Sequence, residues 1–201
     1  VSRCSGQIKM ADHQRFLANY INPITPYKGV IAIHGTGSGK TCGAIAVAEN
    51  FKEQIEKYHT KIYVVVPGPR IRESWRREII KCTGDAYVQN SDSLLSMPPK
   101  LYKETMNSGI KKATRHFYKI LTYKQFHTKV IGQKIGKTKN TDGGYDREQS
   151  LDKLRSIDNG LLIIDEAHNF TGKNEWKLAL RTIMKNSNNL KLLLLTATPI
   201  R

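Results

Sequence analysis

An apolar run, Val30 to Ile33, leads directly into Gly35-Thr36-Gly37-Ser38-Gly39-Lys40-Thr41, and a segment with helical apolar spacing follows through Ala44, Ile45, Val47, Ala48, Phe51 and Ile55. Strand, glycine-rich turn and helix in immediate succession leave few folds open, because such a unit buries its apolar faces inside a layered α/β sheet. The turn also carries chemistry. Glycines let backbone N–H groups point inward onto phosphate oxygens, the lysine reaches the β- and γ-phosphates, and the threonine hydroxyl holds Mg²⁺. The helix contributes the positive end of its dipole. Gly35, Thr36, Gly37, Ser38, Gly39, Lys40 and Thr41 are therefore the expected ligands of a nucleoside triphosphate and its Mg²⁺. The strict pattern has glycine where this chain has His34. The His34 ring is expected to pack beside the loop rather than act in chemistry.

A chain of 201 residues is long enough for one ordinary domain and a sizeable core. Its 33 basic and 17 acidic residues give a net charge of +16, which points to a polyanionic partner. The charge is uneven. Lys100 to Asn140 holds eleven Lys/Arg against Glu104 alone, or +10 of the +16, as a surface contacting a nucleic-acid backbone would. The scattered, odd-numbered Cys4, Cys42 and Cys82 read as reduced thiols of an intracellular protein. No apolar run approaches the roughly 18 residues of a membrane span, and no leader pattern is visible. The chain starts at Val1 rather than Met, as a fragment would.

Strands and helices alternate along the chain. A short helix is expected from an N-cap at Asp12, with Phe16, Leu17 and Tyr20 turned inward, ending at Pro23 and Pro26. The helix after the glycine loop runs to about Lys57. Ile62 to Val66 is a continuous β-branched run suited to a strand buried on both faces of a parallel sheet. Pro67-Gly68-Pro69 breaks it, and an amphipathic helix follows over 70–81, with Ile71, Trp75, Ile79 and Ile80 on one face. A short strand near 86–88, a break at Pro98-Pro99, a strand over 117–121 and a helix over 123–131 come next. Residues 132–146, with their four glycines, are expected as a mobile surface loop, and a helix near 147–157 leads to the strand Leu161 to Ile164. A helix over 175–185 and a strand over 190–195 close the series. The alternation predicts an α/β fold with a mostly parallel central sheet and helices on both faces.

Asp165-Glu166-Ala167-His168 follows the apolar strand directly. An acidic residue at the C-terminal end of a parallel strand faces the ligand crevice. Asp165 is expected to complete the Mg²⁺ shell, and Glu166 to orient and polarise an attacking water, the two tasks that phosphoryl transfer to water requires. Thr196 and Thr198 end the last strand and bring two hydroxyls to the same sheet edge, placed to relay the state of the γ-phosphate.

His34–Thr41, Asp165–His168 and Thr196–Pro199, in this order, resemble motifs one, two and three of the superfamily 2 helicases and translocases. The likeness spans nearly the whole chain as the first of that family's two RecA-like domains, a P-loop NTPase fold. It implies catalytic roles for Lys40, Asp165, Glu166 and His168, and nucleotide binding by Gln14, whose counterpart reads the adenine ring. Val65 to Arg70, with Trp75 and Glu78, is similar to motif Ia of the Swi/Snf-type and related viral branch, and Leu121-Thr122-Tyr123 with Phe126 to motif Ib. Both segments touch the tracking strand's phosphodiester backbone in the family, which implies nucleic-acid contacts from Pro67, Gly68, Arg70, Thr122 and Tyr123. The acidic and Thr-Ala-Thr segments with a Lys/Asn-rich insert are similar to the helicase-like ATPases of large cytoplasmic DNA viruses, poxvirus early transcription factor among them. Such a source implies host cytoplasm or virion as the location.

The family couples hydrolysis to movement through a second RecA-like domain that supplies arginine fingers. Those groups are worth about 10³ to 10⁵ in rate, so this chain alone, as a monomer, is expected to bind nucleotide weakly and turn over little. Its expected function is the ATP-hydrolysing half of a nucleic-acid-dependent helicase or translocase, with DNA ahead of RNA as partner. The alternatives are a non-catalytic nucleic-acid-binding or transcription-factor module of the same fold, which has no need of Lys40, Thr41, Asp165 or Glu166, and a small-molecule kinase, which needs neither Asp165–His168 nor a +16 charge.

Overall fold

The computed structural model describes residues 10–35, 37–88, 91–139, 145–149, 153–172 and 174–198. Thr36 falls outside them. A five-stranded sheet is built from β1 (Gly29–Ile33), β2 (Ile62–Val66), β3 (Tyr118–Thr122), β6 (Leu161–Ile164) and β7 (Lys191–Thr196), in the order β1-β7-β6-β2-β3. Every pairing in it is parallel. Parallel neighbours need crossovers, and helices supply them: α2 (Lys40–Glu49), α3 (Lys52–Tyr58), α4 (Pro69–Cys82), α5 (Pro99–His116), α6 (Tyr123–Ile131) and α7 (Glu175–Asn186), while α1 (Asp12–Tyr20) precedes β1.

The side-chain alternation of each strand sorts the core into two halves. Ile62, Val64, Val66, Leu161, Ile163, Leu193 and Leu195 pack with α1 to α5 on one face. Val65, Leu162 and Ile164 pack with α6 and α7 on the other. The unbroken apolar runs in β2 and β6 thus have burial on both faces as their cause. At the sheet edge, β1 is covered on one side only, where Val30 and Ala32 face the core, and Ile31 and Ile33 stay half exposed.

Several expectations need correction. Asp12 is the first helical residue rather than the N-cap, which is Ala11. Phe16 is 67% exposed and Ile71 41% exposed, so Leu17 and Ala18 in α1, with Tyr20 packed against them at the edge, and Trp75, Ile79 and Ile80 in α4 reach the core. The single helix expected to Lys57 is divided at Asn50–Phe51 into α2 and α3. The strand near 86–88 is replaced by a 3₁₀ turn, Gly84–Ala86, with Tyr87 and Val88 buried after it. The segment read as an irregular loop contains β4 (Gln133–Lys139) antiparallel to β5 (Tyr145–Gln149). A hairpin pairs backbone with backbone and needs no apolar alternation to announce it. Among the described residues there is no helix near 147–157: β5 runs to Gln149, and 153–157 has no regular structure.

The cysteines also differ from expectation. Packing of α2 against α4 brings Cys42 and Cys82 to a Cα separation of 5.5 Å, and the two are joined by a disulfide. Forty residues separate them in the chain, so their meeting is a tertiary fact with no local signal. Among the described residues, no helix is long and apolar enough to cross a membrane.

Candidate nucleotide site and its acidic turn

All the chemistry-bearing segments emerge from the C-terminal ends of the parallel strands, the edge where an open α/β sheet binds its ligands. The register does this directly. Ile33 pairs with Thr196, Leu194 with Ile164, Ile164 with Val65, and Val66 with Thr122. The loop after β1, the acidic turn after β6, the Thr196 end of β7, the Pro67–Gly68 bend and the start of α6 therefore share one rim.

The loop is shaped by its glycines. Gly37 and Gly39 both sit at φ +77°, in the left-handed region that side chains avoid. The Ser38 hydroxyl donates to the Gly35 carbonyl at 2.8 Å, and His34 N–H donates to the Thr196 carbonyl at 3.1 Å. Gly39 is the N-cap of α2, and no side chain caps that helix. The N–H groups of the first turn, Lys40 and Thr41 are left facing the rim, which suits an anionic ligand such as a triphosphate. The Thr41 hydroxyl and the Asp165 carboxylate are hard oxygen donors, the kind Mg²⁺ takes. Lys40 acts electrostatically on both Asp165 and His34, so loop and acidic turn share one field.

His34 stacks edge-on against His13, ring centroids 5.1 Å apart, and His13 Nε2 lies 3.1 Å from the Ser38 carbonyl. Partial burial first, then His13 and Lys40, hold the His34 imidazole below its ordinary pKa. The ring packs beside the loop, as its place in the pattern suggested. Gln14 lies against the loop as well. Its Nε2 donates to the Gly39 carbonyl at 3.0 Å, while its Oε1 accepts from Ala11 N–H at 3.0 Å. Both ends of the amide are engaged, so an adenine ring could take it only by displacing one of these bonds.

The acidic turn is held from several sides. The Trp75 indole N–H donates to Asp165 Oδ2 at 2.8 Å, and Asp165 Oδ1 accepts from Glu166 N–H at 3.1 Å. Burial outweighs these bonds and, with the neighbouring Glu166 charge, raises the Asp165 pKa above the ordinary carboxylate range. Glu166 sits at φ 52°, ψ 52°, left-handed for a residue with a side chain. Two Asn169 donors hold its carbonyl there, the N–H at 3.0 Å and Nδ2 at 3.0 Å, and the Tyr123 hydroxyl oxygen lies 3.1 Å away. The same hydroxyl donates to the Asp165 carbonyl at 2.5 Å. His168 Nδ1 meets the Thr196 hydroxyl at 3.0 Å and lies 3.4 Å from Glu166 Oε2.

The segments expected to face a strand divide in two. Pro67 and Arg70 are exposed, and Gly68 caps α4. Thr122 is buried, and its hydroxyl caps α6 by accepting from Gln125 N–H. Tyr123 is buried too, and it turns to the acidic turn rather than to the surface. Thr198 is exposed, while Thr196 is fully buried. Trp75, Asn169 and the inward role of Tyr123 escaped the sequence reading. Nothing in an apolar stripe marks which of its aromatic residues also donates a hydrogen bond.

Residues 7–201 match the family described as Type III restriction enzyme, res subunit. Among curated proteins, one of Acanthamoeba polyphaga mimivirus named as an ATP-dependent RNA helicase is 41% identical over 212 residues, covering 100% of this chain and 18% of its own length. The early transcription factor 70 kDa subunit of Myxoma virus is 30% identical over 195 residues, covering 94% of this chain and 23% of its own. Among solved structures, the Pyrococcus furiosus Hef helicase domain aligns over 93% of this chain and 32% of its own, with a TM-score of 0.50 and 16% identity. At that identity the likeness is one of fold. The chain spans about a fifth of the length of these two viral relatives.

Proposed function

The chain belongs to the family of the type III restriction enzyme res subunit, and from that premise we propose that it is the ATP-hydrolysing half of a nucleic-acid-stimulated translocase. The observation that carries this reading is the meeting of three chemistries on one rim: a phosphate-shaped loop, an acidic pair held by bonds from three elements, and the buried Thr196 hydroxyl joined to His168. A pure binding module has no use for that combination.

In this reading Lys40 and the first-turn N–H groups of α2 hold the β- and γ-phosphates, and Thr41 and Asp165 are the Mg²⁺ ligands. The metal, when bound, spreads the charge that develops on the transferring phosphoryl group. Glu166 holds the attacking water in line and accepts its proton, while His168 and Thr196 carry the state of the γ-phosphate to β7. Arg70 and the Gly68 region meet a single strand through its phosphates, contacts that position without reading sequence.

Phosphate contacts serve DNA and RNA alike. The mimivirus relative's name adds weight to RNA beside the DNA favoured at first, so both polymers belong in the assay. A second RecA-like domain in the complete protein is proposed to supply the arginine fingers, and a cytoplasmic viral setting fits the relatives' sources. Glu166→Gln tests the core of the proposal. Hydrolysis should fall by about 10² to 10⁴ while Mg·ATP binding persists, and Lys40→Ala should lose binding. Full hydrolysis in Glu166→Gln would overturn the reading in favour of a non-catalytic module.

A further inference from the structure

The two segments assigned to the strand backbone each send one buried aromatic donor back onto the acidic turn. From α4, which begins at the Pro67–Arg70 bend, Trp75 is 1% exposed and donates through Nε1 to Asp165 Oδ2 at 2.8 Å. From the start of α6, Tyr123 is 6% exposed and donates through its hydroxyl to the Asp165 carbonyl at 2.5 Å, with the Glu166 carbonyl at 3.1 Å. We propose that Trp75 and Tyr123 are positioning residues that make the acidic pair's geometry depend on occupancy of the nucleic-acid face. This inference rests on the translocase reading above.

The distances along the chain are short. Trp75 lies five residues from Arg70 on one unbroken helix, about 7.5 Å along its axis, so a shift at the start of α4 is carried rigidly to the indole. Tyr123 follows Thr122, the cap of α6, directly. The two helices are themselves bridged: Arg72 Nη1 donates to Gln125 Oε1 at 3.2 Å, and that same oxygen accepts from Thr122 N–H at 3.0 Å. One side-chain oxygen thus links the start of α6 to α4.

At the other end sits a residue with little tolerance for movement. Glu166 holds a left-handed backbone that costs on the order of 1 to 3 kcal/mol in a residue with a side chain, and the Tyr123 hydroxyl donates to the Asp165 carbonyl of the peptide that leads into it. The Tyr123 ring also packs edge-on against Phe170 at 4.9 Å, within the 3₁₀ turn Ala167–Phe170 that follows Glu166. Removing the Tyr123 hydroxyl takes away a bond and leaves the ring packing, whereas Trp75→Phe also trims a fully buried indole. What is specific to Trp75 and Tyr123 is the donor, beyond the apolar area that any large ring provides.

The test is steady-state ATPase in the full-length protein, titrated with poly(U) and poly(dT), for wild type, Trp75→Phe, Tyr123→Phe and Glu166→Gln. The expected result is a fall of about ten-fold or more in the ratio of stimulated to unstimulated kcat in each phenylalanine variant, with KM for ATP held within about two-fold. A ratio that stays within about two-fold of wild type in both variants, or an equal fall of stimulated and unstimulated kcat, overturns the inference. A second measurement does not need the phenylalanine variants to fold. In residues 1–201 carrying Trp176→Phe, Trp75 is the one tryptophan left, and its emission should shift when poly(U) or poly(dT) joins Mg·ATPγS. An unchanged spectrum overturns the relay. If Glu166→Gln still hydrolyses ATP, the translocase reading itself fails; if that variant is dead while both phenylalanine variants keep wild-type stimulation, the relay alone fails.

Discussion

His168 Nδ1 lies 3.0 Å from the Thr196 hydroxyl, and the direction of that bond is fixed by what the hydroxyl does next. Thr196 Oγ1 donates its one proton to the Thr198 carbonyl at 2.9 Å and accepts from Thr198 N–H at 3.1 Å. With that proton so placed, the matching His168 tautomer is the one that donates from Nδ1, where Glu166 Oε2 also lies within 3.4 Å. The acidic turn and the end of β7 are thus joined through one fully buried oxygen. Thr196→Val keeps the volume and deletes that oxygen, leaving the imidazole N–H and the Thr198 amide without it. The expected loss is about 1 to 3 kcal/mol in urea unfolding, with Thr196→Ser close to wild type.

Glu166 combines a water-orienting carboxylate with a backbone at φ 52°, and the two properties can be separated by substitution. Glycine adopts this conformation freely, whereas alanine keeps the Cβ penalty. Glu166→Gly should therefore be more stable than Glu166→Ala by about 1 kcal/mol, measured by chemical unfolding, although both lose hydrolysis. Equal stability of the two would mean that the left-handed backbone carries no strain at this position.

What could be read from the chain alone follows the range of the forces involved. The β1–loop–α2 unit and the β6–Asp165 junction were legible because their signals are local: an apolar run, then glycines or acids at fixed offsets. Burial of β2 on both faces was legible from its lack of alternation. The β4–β5 hairpin was not, since its polar, glycine-containing residues pair through the backbone and show no periodic pattern. Trp75 read as one more core residue of an apolar stripe, and its bond to Asp165, ninety residues away, appears only once α4 lies against the sheet. Tyr123 was placed at the site, but on its outer face. The family motif fixes its position in sequence, and only packing decides that its hydroxyl turns inward.

His34 should make the protein acid-sensitive near neutrality. Its folded pKa lies below the ordinary 6.5 because of burial, His13 and Lys40. As pH falls through 6.5, the unfolded chain takes a proton that the folded protein resists, so stability is full above that pH and declines below it. Urea midpoints at neutral and mildly acidic pH should show the decline in wild type and a smaller one in His34→Asn. An unchanged slope in the variant would assign the acid sensitivity to other groups.

The Cys42–Cys82 disulfide joins the two helices on which the site depends. Cys42 follows Thr41 in the first turn of α2, and Cys82 ends α4, the helix that carries Trp75 to Asp165. Closing a loop with a separation of 40 residues restricts the unfolded chain by about 4 kcal/mol in the chain-entropy account, and measured values commonly run at about 2 to 4. Reductant should therefore lower the unfolding free energy of wild type by about 2 to 4 kcal/mol. Cys82→Ser should show the same deficit without reductant and no further response to it. Nucleotide affinity should fall together with stability, because the first turn of α2 is then anchored to α4 by packing alone. A wild-type unfolding midpoint that ignores reductant would show that the bridge contributes nothing to the folded state.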